Sequence, residues 1–168
     1  MVALSDNIFN YADMFFIFPY SINDYTMIIN GTYEIISYLQ NYLNNESNNI
    51  IIRKILHKYE NKDIQNKINK IYNDIFIKNI EIAIKNSNDL IDLIIKSVPK
   101  IKENYNNSEK RLEKSKDIYI KFENNKLLLL NITCLITDLY FLRRFLDKSY
   151  IKNGIIYTGI THIVLKSI

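Results

Sequence analysis

Six apolar residues, Leu128, Ile132, Leu135, Leu139, Leu142 and Leu146, recur at steps of three and four. That spacing marks one face of a long α-helix. Leu130, Cys134, Phe141 and Phe145 flank the row, so the helix is apolar around more than half its circumference and is expected to lie at the centre of the fold. Asn131, Thr133, Thr137, Asp138, Arg143 and Arg144 interrupt it. Charges inside a membrane span cost several kcal/mol, so a buried core helix is the better reading than a span.

Upstream, Ile64, Ile68, Ile71 and Ile75 follow the same rule at steps of 4, 3 and 4, continuing through Ile80 and Ile84. This predicts a long amphipathic helix opened by Asp63. A further helix is expected over 87–105, with Pro99 kinking or splitting it, and a charged, partly exposed one over 108–122. Thr32 reads as the N-cap of a helix over 32–44, with Ile35, Ile36, Leu39 and Leu43 on one side. The stretch 50–56 fits a strand or a helix equally.

Two segments read as strands. Met14-Phe15-Phe16-Ile17-Phe18 is a short aromatic run closed by Pro19, and Ile155-Ile156-Tyr157-Thr158 follows a turn at Gly154. The expected architecture is therefore a predominantly helical α/β fold, with long helices packed on a small, mostly parallel sheet that pairs these strands. The alternative is an all-α helical bundle. The 168 residues show no linker or internal repeat, which fits one domain over 1–168.

Composition narrows the function classes. With 33 Ile and 23 Asn, the chain is biased toward residues with A/T-rich codons, so its Asn and Lys clusters have a genomic explanation. The net charge of +4 comes from 22 basic and 18 acidic residues whose signs are interspersed, without the basic stripe that nucleic-acid binding favours. Cys134 is the sole cysteine, which excludes an internal disulfide and suits a reducing, cytoplasmic setting. No signal peptide is visible. The partner class left open is protein, either another protein or a second copy of this chain.

The candidate chemistry lies near the C-terminus. Asp138 and Arg144 sit in the most apolar helix, where a charge faces a partner or a cavity because an unpaired buried charge is costly. Gly159 follows the expected strand, and His162 would stand at its C-terminal edge. The competing structural reading makes Asp138 the exposed edge of its helix, pairs Arg144 with Asp147 at i, i+3, and leaves His162 an ordinary surface or core residue. His57 reads as an exposed histidine in a basic segment, and Cys134 as a small core residue. With two histidines and one cysteine, a zinc site would depend on carboxylates. No cofactor is expected beyond a divalent metal at His162.

The pattern Asp138-x-Tyr140-x-x-x-Arg144, followed by Tyr157-x-Gly159-x-x-His162, resembles the C-terminal part of an uncharacterised family of large nucleocytoplasmic DNA viruses, the giant-virus and poxvirus-like group. The stretch Asp13–Tyr20 is similar to an upstream strand of that family, and Arg53 with His57 to a further Arg/His segment. The strand–Gly-x-x-His element also resembles the TraB/Tiki-type superfamily, which includes metal-dependent hydrolases with paired Gly-x-x-His elements and an early acidic residue. Here a single such element exists, and Ile17 stands where the Glu would be. The resemblance implies candidate catalytic or metal-binding roles for His162, with Asp138 and Arg144 beside it and Tyr140 and Gly159 as binding residues. It implies a domain equivalent to the C-terminal part of a longer fold. Three readings follow: a non-enzymatic interaction protein derived from an α/β fold, a helical host-interaction module, or a hydrolase completed by a partner or dimer.

Overall fold

The computed structural model describes residues 22–44, 54, 56–104 and 106–147. Among them the regular structure is entirely helical, in the order α1 (Ile22–Asn44), α2 (Lys62–Ile71), a π-helical turn (Tyr72–Ile77), α3 (Lys78–Glu103) and α4 (Ser108–Asp147). This overturns the expected α/β class with a parallel sheet: the helices bury their apolar faces on one another, and the described residues form an all-helical fold. The two expected strands, Met14–Phe18 and Ile155–Thr158, lie outside the described residues.

Helices α2 and α3 form one continuous rod. Asn61 caps its start, its side-chain oxygen accepting from the Asp63 and Ile64 amides at 2.9 and 3.2 Å. Such a cap satisfies amides that the first turn leaves without helical partners. Just upstream, the buried Gln65 side chain donates to the Leu56 carbonyl at 2.9 Å and clasps the preceding segment to α2.

The π turn explains which rod residues are buried. Ile68, Tyr72, Phe76 and Ile80 all point into the core, at three successive steps of four. Each such step overshoots an α-helical turn by about 40°, so three would swing the row about 120° off the core. The wider turn at Tyr72–Ile77 takes up that drift. Ile71 and Ile75, which the 4-3-4 spacing would place inside, are exposed instead. Beyond the turn the core row runs through Ala83, Ser87, Leu90, Ile94 and Ile101 without a break at Ser87. Pro99 sits exposed inside α3 and does not divide it.

Asn104 and Asn107 turn the rod back into α4. The Asn107 amide donates to the Asn104 carbonyl at 3.0 Å, and the Asn107 side chain accepts from the Lys110 amide at 3.1 Å, capping the new helix. The expected charged and central helices are one helix of 40 residues, about 60 Å long at 1.5 Å per residue. Ser87 faces Asn125 and Asp89 faces Lys121, so α3 and α4 are antiparallel with a fixed register.

Helix α1 lies against α3, with Tyr42 set edge-on to Phe76 at 5.9 Å between ring centroids. Near its other end the Tyr25 phenol comes close to Ser115 and Arg111 of α4. Thr32 does not cap α1, which starts ten residues earlier; its buried hydroxyl donates to the Ile28 carbonyl at 2.7 Å. That back-bond lets a Thr sit inside an apolar interface with its hydroxyl satisfied. The rod, not α4, is the central element, since α3 packs on both α1 and α4.

Candidate functional site

Of the C-terminal candidates, α4 carries Asp138, Tyr140 and Arg144 in its last ten residues. Asp138 is half-buried beside the fully packed Leu139. The side chains of Tyr140 and Arg144 lie outside the described set, as do Gly159 and His162 altogether. His57 is exposed ahead of α2 and Cys134 is half-buried on α4. Among the described residues no three or more His, Cys, Asp or Glu side chains gather in a way that could hold a metal ion. No described helix is long and apolar enough to cross a membrane.

Two buried features were not foreseen from the residues. Tyr72 stacks on Phe76 at 5.2 Å with 20° between the ring planes, and Tyr42 closes the group edge-on. Burial, then the neighbouring Tyr72 phenol, pushes the Tyr42 hydroxyl well above its ordinary pKa. Burial also raises Tyr25, against the opposing effects of Ser115 and Arg111. The signal for this cluster was present as the 4-4-4 spacing of Ile68, Tyr72, Phe76 and Ile80, hidden behind the more regular isoleucine row. The second feature is the Asn125 amide, which donates to the Ser87 hydroxyl at 2.8 Å between α3 and α4.

The outer surface of the α3–α4 hairpin is less polar than a helical exterior usually is. Ile82 of α3 and Ile120 and Leu127 of α4 are 41–46% exposed. Ile120 and Leu127 are seven residues apart and share a face. Ile82 shares its α3 face with Asp89, seven residues on, whose carboxylate meets the Lys121 ammonium at 3.3 Å. The hairpin register sets Ile82 beside the turn of α4 that carries Leu127 and Leu128. Half-buried Leu93, Leu128 and Leu135 pack against the core nearby. Such a surface can hold an apolar helix but offers no nucleophile or ligand set.

An all-helical assembly built on one long antiparallel hairpin is the class that the fold defines. The chain belongs to a family of unknown function (DUF5847), whose model matches residues 22–166 and so takes in every described helix. It is similar to two proteins of Acanthamoeba polyphaga mimivirus: uncharacterized protein R706, 77% identical over 26 residues, and uncharacterized protein R160, 43% identical over 54 residues. Those stretches cover 16% and 32% of this chain but 6% and 12% of the respective relatives, which are much longer proteins. No solved structure matches the chain. The resemblance to a giant-virus family is thus supported, whereas the TraB/Tiki likeness finds no counterpart among these matches.

Proposed function

We propose that this protein is a non-enzymatic, helical interaction module of viral type, which binds an apolar helix of a protein partner along the outer face of the α3–α4 hairpin. The observation that carries this reading is the set Ile82 of α3 and Ile120 and Leu127 of α4, large apolar side chains on two adjacent helices that are open to solvent. Three exposed branched side chains over a closed core suit the helix-in-groove mode, in which anchors at helical spacing enter an apolar groove. Asn124, which lies between Ile120 and Leu127 on the same face of α4 and is exposed, would supply a polar contact at the rim.

The test uses a photo-reactive residue at Ile120, with the exposed Glu34 of α1 as control, in cells producing the full chain. Adducts to one discrete protein from Ile120 and not Glu34, lost with Ile82→Glu, are the expected result. Equal labelling from both positions, or adducts only to further copies of the chain, would overturn the partner assignment. A separate arm measures metal content beside His162→Ala. A metal at near-unit stoichiometry, absent from the variant, would replace this reading with the hydrolase one.

A further inference from the structure

A second apolar surface lies on the α1 side of the hairpin. Leu112 and Tyr119 of α4 are exposed, and the buried Ser115 between them sits at i+3 from one and i−4 from the other, so the two exposed side chains flank it on the helix. Ser115 is the residue of α4 that the Tyr25 phenol of α1 approaches. On α1, Tyr25, Ile29 and Tyr33 follow at steps of four, with Tyr33 exposed. The two rows meet at the Tyr25–Ser115 contact, close to the point where α1 begins.

The residues just before α1 match this surface in three ways. Met14-Phe15-Phe16-Ile17-Phe18 is the most aromatic run in the chain and ends four residues before Ile22. At about 3.3–3.6 Å per extended residue, Phe18 stays within roughly 14 Å of Ile22, itself one helical turn from Tyr25. Leu112 and Tyr119 each lie one turn of α4 from Ser115, so the tether is long enough to reach both. Pro19 disfavours a helical Phe18 and prevents α1 from simply extending through the run.

Charge agrees as well. The first 21 residues hold Asp6 and Asp13 and no Lys or Arg. The hairpin end beside the start of α1, residues 96–116, holds seven basic residues against three acidic ones. Lys110 and Lys116 there are exposed on either side of Leu112. An acidic, aromatic segment is thus tethered beside a basic rim around exposed apolar side chains.

We propose that the Met14–Phe18 run of the same chain docks on the surface formed by Leu112 and Tyr119 of α4 and Tyr33 of α1, with Asp13 facing the lysines at the hairpin end. The run then acts as an intramolecular cap on this side of the hairpin, separate from the Ile82–Ile120–Leu127 face.

The experiment places a benzophenone amino acid at Phe16 in the full chain, irradiates the protein and maps cross-linked peptides by mass spectrometry. A monomeric product joined to residues 112–119 or to Tyr33 is expected. With Leu112→Glu and Tyr119→Glu together, both at exposed positions, the yield should fall about tenfold, the effect of losing about 1.4 kcal/mol of docking free energy. Circular dichroism of that variant checks that its helices persist, and Asp13→Lys should lower the yield on its own. Cross-links found only in covalent dimers would make a second copy the occupant and overturn the proposal. Cross-links to other elements, or a yield unchanged by all three substitutions, would overturn it too.

Discussion

Asn125 and Ser87 are both fully buried and joined by a single 2.8 Å hydrogen bond between antiparallel helices, while the Asn125 carbonyl oxygen has no partner. A buried polar pair of this kind contributes little net stability but makes other registers costly, since a slip would strand the whole amide among Leu and Ile side chains.

This pair gives the first prediction. Ser87→Ala leaves a buried amide without its acceptor and should cost about 1–3 kcal/mol in urea unfolding. Replacing both residues, Ser87→Ala with Asn125→Leu, should recover most of that loss or exceed wild type. Simple additivity of the two single effects would show that the bond does not couple them.

The aromatic cluster gives the second. Phe76 is almost wholly buried, between Tyr72 in a stack and Tyr42 at an edge. Phe76→Ala should destabilise by about 3–5 kcal/mol through the cavity and the lost ring contacts. At about 2–4 °C per kcal/mol for a domain of this size, the melting temperature should drop by roughly 10 °C. A drop near zero would mean that the π turn collapses to fill the space.

The third concerns alkaline pH. Tyr42, Tyr25 and Tyr38 are raised above the ordinary value of 10.0, chiefly by burial. A phenol of this kind keeps its proton in the native state where the unfolded chain has already lost it. Above about pH 10 the unfolded state therefore binds fewer protons, and stability falls as pH rises, by up to about 1.4 kcal/mol per pH unit for each such group. Below that pH their contribution is fully present. Unfolding curves at pH 9, 10 and 11 should show a flat step and then a decline that is shallower in Tyr42→Phe.

The fourth tests the proline. Pro99 lies inside α3 on its exposed side, where it supplies no amide for the helical ladder. Pro99→Ala should stabilise the protein by about 1–2 kcal/mol, the helix-propensity gain less the freedom restored to the unfolded chain. A loss of stability would instead show that the ring packs at the hairpin end.

The helical character of the chain was legible because its apolar spacing is long and regular. Ile64 and Ile68 placed the start of the rod within two residues, at Asp63 where Asn61 is the cap, although the separate helix expected from Ser87 is part of the same rod. The phase of the rod beyond Ile68 was not legible. Two apolar rows run through residues 64–80, and a period of 3.6 selects the one with Ile71 and Ile75, both exposed in the fold. The burial of Tyr72 and Phe76 depends on a π turn, which no fixed period anticipates. Thr32 misled for a related reason: the hydroxyl that serves a helix start can equally serve a carbonyl one turn back, as it does with Ile28. On α4, Ile132 and Leu139 are buried as the leucine row implies, although Leu129, not Leu128, is the fully packed residue of its turn. For the C-terminal constellation, the fold establishes that Asp138, Tyr140 and Arg144 share one helix, and Gly159 and His162 lie beyond the described residues.

The π turn also bears on how members of this family should be aligned. Removing one residue between Tyr72 and Ile77 would restore an ordinary helix and rotate everything before it by about 100° relative to α3. Gln65 and Leu56 would then leave the interior together, as a unit, while the hairpin beyond stays as it is. A relative that is one residue shorter here has not lost a piece of surface; its two halves are dialled to a different angle, and gaps placed elsewhere would conceal that.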